Sequence, residues 1–478
     1  MDILLTHAYF LAEDAAERAI MKPYPPLGIL SISAYLRSRG FAVGLFDSTF
    51  ASFDEFEQAL AREAPPIVGI YVNLMTRRNA LRMIRASREA GALVVLGGPE
   101  PASYADEYLA RGADVIVNGE GEIAAERLVA HLRARGLRDL ASIPGLAFRD
   151  DRGTVVRTGA APIVPHLDAL PFPDRGAIDL DRYVRTWRTH HGRGSVSLIT
   201  ARGCPYTCTW CSHAVFGFSH RRRSPASVAA ELDSIVRTWK PDMVWYADDV
   251  FTINKRWIQA YAEELKARGL HVPFETISRE DRLDAETVRT LAAMGCFRLW
   301  IGAESGSQRV LDAMQRGTDA RRMRDMIRLV RAAGIEAGTF IMLGYDGEET
   351  ADIEETVRHL VDARPDHVLT TVAYPIKGTA YHARVADRTV LPVAWDEGSD
   401  RDAIVTGRHS RRYYEHARRW IASEVALARA RRDPAAGRLR RWRTTLAARA
   451  GRLGMRLTEH QIEGATPPAA GRDVAIRA

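Results

Sequence analysis

The chain has 478 residues, 46% of them hydrophobic and 27% charged, which is too long for one ordinary core and suits two or three domains able to enclose large ligands. No run of about 18 apolar residues occurs, so no membrane-spanning helix is expected, and Met1-Asp2-Ile3-Leu4-Leu5 has no basic start, so it reads as a buried strand in a cytoplasmic protein rather than a secretion signal. The formal net charge is +7, yet residues 401–478 hold 18 Arg against 7 Asp and Glu; the rest is slightly acidic, which removes support for a nucleic-acid-binding body.

In chain order, residues 1–140 alternate short apolar runs with amphipathic stretches. Strands are predicted at Ile3–Thr6, Ala42–Asp47, Ile67–Val72, Ala92–Gly97 and Asp114–Asn118. Helices are predicted at Gly28–Arg39, Phe53–Glu63, Arg78–Ala90, Tyr104–Ala110 and Glu122–Arg135. This alternation predicts a parallel sheet with helices on both faces, a Rossmann-like domain. Residues 141–194 read as a hairpin around Asp151-Arg152-Gly153, then an extended linker marked by Pro162, Pro165, Pro171 and Pro173. From Ser195 a second series begins, with strands at Ser195–Thr200, Met243–Ala247, Val272–Thr276, Arg298–Gly302, Ala337–Met342 and His367–Ala373. Five helical patterns separate them: Pro225–Thr238, Lys255–Arg268, Ala285–Met294, Ala320–Ala333 and Thr350–Asp362. Six such repeats over 195–385 predict a partial (β/α)6 TIM-type barrel, whose ligands sit at the C-terminal strand ends. Residues 386–478 read as a small, Arg-rich, mainly helical region, with helices at Tyr413–Ala430 and Ala435–Ala450 and a disordered end.

Four cysteines occur, and three lie within eight residues. A disulfide framework would spread them, so the clustering points to metal chemistry. Cys204, Cys208 and Cys211 form C-x3-C-x2-C directly after a strand. Three thiolates can hold three corners of an iron–sulfur cubane and leave the fourth iron without a protein ligand, open to chelation. The alternative is a structural zinc site using His213 as fourth ligand, although zinc sites usually pair two separated ligand hairpins. Cys296, in Met294-Gly295-Cys296-Phe297, reads as a core residue.

The cluster loop resembles that of radical S-adenosylmethionine (SAM) enzymes, and the resemblance covers about residues 195–375. Asp248-Asp249-Val250-Phe251 follows the second strand, where such enzymes contact the SAM amino end; the plainer reading is a solvated loop. Arg279, Glu280 and Asp281 follow the third strand and suit the SAM ribose or carboxylate, or a charged surface turn. Gly302-Ala303-Glu304-Ser305-Gly306-Ser307 resembles the family's G-x-E-S-G-S segment, with Glu304 aimed at the barrel mouth and Ser305 and Gly306 beside the cofactor. Gly338-Thr339-Phe340-Ile341-Met342-Leu343-Gly344 resembles the strand that packs on adenine.

The first 140 residues resemble the cobalamin-binding domain joined to many radical SAM proteins. Pro26 and Gly28 open the first helix, Gly97 and Gly98 close the fourth strand, and Gly119-Glu120-Gly121 follows the fifth, all at strand C-termini where open α/β sheets bind ligands. Asp47-Ser48-Thr49-Phe50-Ala51-Ser52 stands where the cobalamin signature D-x-H-x-x-G would, with Thr49 in place of the cobalt-ligating His. Members of this group often lack that His. Asn73, Leu74 and Met75, after the third strand, are then candidates to line the lower cobalt face; a degenerate domain without corrinoid is the alternative.

The resemblance implies three cofactors: a [4Fe-4S] cluster, SAM and cobalamin. It implies SAM cleavage to a 5′-deoxyadenosyl radical and hydrogen abstraction from an unactivated carbon. The outcome is then cobalamin-dependent C-methylation in lipid or natural-product biosynthesis, or oxidative cyclisation like that of the anaerobic magnesium-protoporphyrin monomethyl ester cyclase; a non-catalytic cobalamin or redox sensor is a third class. Implied partners are a small-molecule or lipid substrate and an electron donor such as flavodoxin or ferredoxin. The arginines at 418–419, 431–432 and 438–443, with Trp420 and Trp442 nearby, read as a solvated helix face, with anionic membrane or nucleic acid as alternatives.

Overall fold

Each apolar run in the first 120 residues is covered on both sides by amphipathic helices, and each becomes a strand. The computed structural model describes residues 1–432 and 437–464. Strands β1 (Ile3–His7), β2 (Val43–Phe46), β3 (Ile67–Tyr71), β4 (Leu93–Gly97) and β5 (Val115–Val117) pair in parallel. Both faces are apolar: Leu4, Val68, Ile70 and Val94 enter one core while Ile3, Leu5, Val95 and Val115 enter another, the pattern of a doubly covered parallel sheet. The predicted hairpin forms as β6 (Leu146–Arg149) and β7 (Val155–Arg157) and extends the same sheet antiparallel, in the order β2-β1-β3-β4-β5-β6-β7. The strand order reverses between β1 and β3, which opens a crevice at their C-terminal ends.

The linker is less extended than its prolines suggested. Leu180–His191 is a helix, started by the Asp179 side chain, with Leu180, Tyr183, Val184 and Trp187 buried on one face. It leads into the second sheet: β8 (Ser195–Leu198), β9 (Met243–Tyr246), β10 (Phe274–Ser278), β11 (Cys296–Glu304), β12 (Glu336–Leu343) and β13 (His367–Val372). All six pair in parallel in chain order, and β8 does not meet β13. The arc is an open (β/α)6 barrel. Strand β10 starts two residues later than expected and β11 is longer at both ends.

Beyond the barrel, helices Arg411–Arg432 and Arg438–Thr458 pack on each other, and Tyr413, Tyr414, Ala417, Trp420 and Ile421 of the first join the barrel core. Of the two tryptophans read as lying near the arginines of a solvated face, Trp420 is buried and Trp442 is exposed. A loop before these helices returns to the first domain. Buried Arg77 donates there to Asp400 (3.0 Å) and to the carbonyls of Trp395 and Gly398, and within its own domain to Glu100 (2.6 Å). The expected disordered end, past residue 464, lies outside the described residues.

Candidate functional site

After β8 the chain pairs Ala201–Arg202 with Arg221–Arg222, and the loop this closes carries the three cysteines. Cys204, Cys208 and Cys211 all line one cavity of about 370 Å³ at the C-terminal strand ends. Cys208 is buried, Cys204 half-buried and Cys211 open. Burial pushes the Cys204 thiol up, a shift that bound metal would reverse. Among the described residues no three His, Cys, Asp or Glu side chains converge as one metal ion requires. His213, the candidate fourth zinc ligand, lines the same cavity and packs on Phe218, ring centroids 4.1 Å apart. A cubane needs thiolates spread over separate corners, which three cysteines around one cavity satisfy. Two guanidiniums face this negative site: Arg279 and Arg316 donate to the Cys208 sulfur at 3.8 and 3.7 Å.

Of the residues singled out for SAM, Asp249, Arg279 and Glu304 line this cavity. Desolvation, then the Asp248 carboxylate, hold Asp249 above the usual carboxylate range. Glu304 ends β11 with φ of 62°, a left-handed backbone rarely taken by a residue with a Cβ. Burial raises its pKa, opposed by Arg316 and then Arg279. Arg279 is less free than expected: it also donates to Asp281 (2.9 Å) and the Arg316 carbonyl (2.9 Å) and lies over the Tyr206 ring.

Three expectations are corrected. Asp248 turns away from the cavity, its oxygens taken by the Thr200 amide (2.6 Å), the Thr200 hydroxyl, the Ala201 amide (3.2 Å) and Arg222 (2.8 Å). It braces the base of the cluster loop. Ser305 and Gly306 face the helix Thr350–Ala363: the Ser305 hydroxyl meets the Thr356 hydroxyl (3.2 Å), and the Gly306 amide donates to it (2.9 Å). Arg316 was missed. It is buried beside Cys208, Glu304 and Glu280, and donates to the Gly302 carbonyl at 2.7 Å.

A second cavity, about 160 Å³, is a slot between one face of the first sheet and helices Leu27–Ser38 and Gly121–Arg135. Gly28, Gly97, Gly98, Gly119, Glu120 and Gly121 line it, as do Gly69 and Tyr71, which the sequence reading passed over. Gly98 has φ of 108°, and a Cβ there would fall 2.3 Å from the Val72 carbonyl oxygen, so only glycine closes this strand end. Pro26 caps the helix instead of lining the slot. Asn73 and Leu74 are likewise outside it, in a turn where the Asn73 side chain accepts from the Met75 amide (2.9 Å). Glu120 has a second duty: with 1% of its side chain exposed, it accepts from the Val164 amide (2.8 Å) and ion-pairs with Arg221 and Arg202 of the cluster loop. The Gly119-Glu120-Gly121-Glu122 turn thus clips the two domains together, Glu122 also pairing with Arg202 (3.1 Å). The two cavities share Val215 and Phe216, and Pro99, next to the slot's Gly98, lines the cysteine cavity.

Known proteins agree with this division. A model of the Radical SAM superfamily matches residues 198–360, and a model of the B12 binding domain matches residues 19–129. The chain joins a B12-binding domain to a radical SAM domain. It is similar to an uncharacterized methyltransferase of Pyrococcus horikoshii, 26% identical over 407 residues, covering 83% of this chain and 86% of the relative. It is also similar to the anaerobic magnesium-protoporphyrin IX monomethyl ester cyclase of Synechocystis sp., 26% identical over 385 residues, covering 78% of this chain and 76% of the relative. Among solved structures, the cobalamin-dependent SAM radical enzyme OxsB has the same fold: TM-score 0.73, 19% identity, covering 95% of this chain and 72% of that one.

The cofactors of this radical SAM enzyme are a [4Fe-4S] cluster, SAM and cobalamin, and the two cavities suit them. The slot's walls are mostly apolar and lean, with Glu120, Glu122 and Arg202 among the lining, and suit a long flat-sided group. The position expected to lack a cobalt ligand is closed as well. Thr49 is buried, its hydroxyl accepting from Tyr183 (2.6 Å), which also donates to Asp47 (2.8 Å), while Asp47 holds His7 (2.9 Å). No described helix is long and apolar enough to cross a membrane.

Proposed function

We propose that this radical SAM enzyme methylates an unactivated carbon of a small molecule, a lipid or natural-product precursor. The observation that carries the reading is the shared wall: Val215 and Phe216 border both cavities, so a substrate there meets both cofactors. When bound, the cluster and SAM supply a 5′-deoxyadenosyl radical, and cobalamin supplies a methyl carrier.

The residues have separate tasks. Cys204, Cys208 and Cys211 hold the cluster and leave one corner for SAM. Asp249 offers a carboxylate to the SAM ammonium, and Glu304 offers one to its hydroxyls. Arg279 and Arg316 fix the Cys208 thiolate and balance its charge. Gly28, Gly69, Gly97, Gly98, Gly119 and Gly121 leave room for the corrinoid and its tail. Glu120 and Glu122 hold the second cavity against the first through Arg202 and Arg221. Reducing equivalents come from a flavodoxin- or ferredoxin-type donor.

Oxidative cyclisation is the second reading, favoured by the similarity to the Synechocystis cyclase. Products made from SAM carrying a CD3 group separate the two by mass spectrometry. Methylation transfers the label to the product; hydrogen loss without label transfer refutes methylation in favour of cyclisation.

A further inference from the structure

The last described helix, Arg438–Thr458, has two faces with different fates. Ala448, Gly451, Met455 and Thr458 are buried, Gly451 against Trp420 of the preceding helix. The outward side carries Leu439, Trp442, Leu446, Leu453 and Leu457, between 43% and 66% exposed. At 3.6 residues per turn these five positions fall on one stripe, running most of the roughly 30 Å length of the helix. No other described element covers it. A soluble surface rarely leaves so many large apolar side chains in one row.

The helix's own charged residues are all cationic. The helix contains seven arginines and no acidic residue. Arg443 lies on one side of the stripe and Arg449 and Arg456 on the other; Arg452 and Arg456 reach back to Glu354 at 3.0 and 3.5 Å. We infer that this helix docks the enzyme on an anionic lipid surface, its leucines and Trp442 entering the headgroup boundary and its arginines meeting lipid phosphates. Apolar stripe and cationic border together are the signature of an interfacial helix, and guanidinium stems are long enough to lie along the apolar boundary with their charges at the headgroups. A second copy fits poorly, because a twofold contact through this patch would bring two all-arginine borders together. Nucleic acid would satisfy the arginines and leave the leucines in water.

The test uses the full-length protein and sedimentation with two kinds of vesicle, phosphatidylcholine alone and phosphatidylcholine with about a quarter phosphatidylglycerol. The wild type should pellet with the anionic vesicles only, and less as salt rises. Leu446→Ser with Leu453→Ser should weaken binding more than tenfold, and Arg443→Gln and Arg449→Gln about fivefold each. All four side chains are on the surface, so melting temperatures should match the wild type. Three results overturn the inference: no pelleting at low salt, pelleting indifferent to these substitutions, or a solution dimer that the double serine variant dissolves.

Discussion

Glu120 looked like a cofactor residue by its place in a glycine turn, and the structure makes it a clasp between domains. Its replacement by Gln keeps the shape and removes the charge. The carboxylate side chain is 1% exposed, Arg221 is 12% exposed and Arg202 14%, so the variant leaves guanidiniums largely buried with less to balance them. Breaking a buried pair in this way costs about 3–5 kcal/mol, and for a domain-sized unit that lowers the melting temperature by on the order of 10 °C. The assay is thermal melting of apo-protein, free of corrinoid and iron, followed by corrinoid titration at a temperature where both proteins are folded. The clasp predicts a large loss in the apo melt. An apo melt equal to wild type together with weakened corrinoid binding would refute it and return Glu120 to the cofactor.

Two further outcomes are expected. Cys204→Ala should abolish reductive SAM cleavage, whereas Cys296→Ala should retain it, because the Cys296 thiol is buried in β11 and donates to the Arg298 carbonyl; loss of cluster iron in Cys296→Ala alone would break the ligand assignment. Glu348 is enclosed beside Gly344, and burial lifts its carboxyl from 4.5 to about 8. The folded chain therefore keeps a proton that the unfolded chain releases, so stability falls as pH rises from about 4.5 to 8 and levels off above. Glu348→Gln should flatten that slope in melts taken from pH 5 to 9, and identical slopes would contradict it.

Local patterns carried much of the fold. Strands of the first sheet were legible because both of their faces are apolar, and Phe53–Glu63 because Ser52 and Glu55 form a capping box. The helix Leu180–His191 had a readable signal too, since Leu180, Tyr183, Val184 and Trp187 follow helical spacing, but the prolines upstream drew the reading toward an extended linker. At the site, the cysteine spacing and Glu304 were visible in short motifs. The roles of Asp248, Glu120 and Arg316 were not. Their partners lie far along the chain: Asp248 closes on Thr200, 48 residues away, Glu120 on Arg221, 101 residues away, and Arg316 on Cys208, 108 residues away. A charged residue in a loop looks the same in sequence whether it faces a ligand or a buried counter-charge. Only the folded chain distinguishes them.

Three cysteines surround one cavity, and a lean slot lies beside it. Iron, sulfide and corrinoid analysis of protein purified without oxygen tests both together. A [4Fe-4S] cluster and one corrinoid per chain are predicted, with the cluster's unique iron shifting its spectrum when SAM is added. Zinc in place of iron, or a cluster indifferent to SAM because a fourth side chain already caps it, would contradict the account.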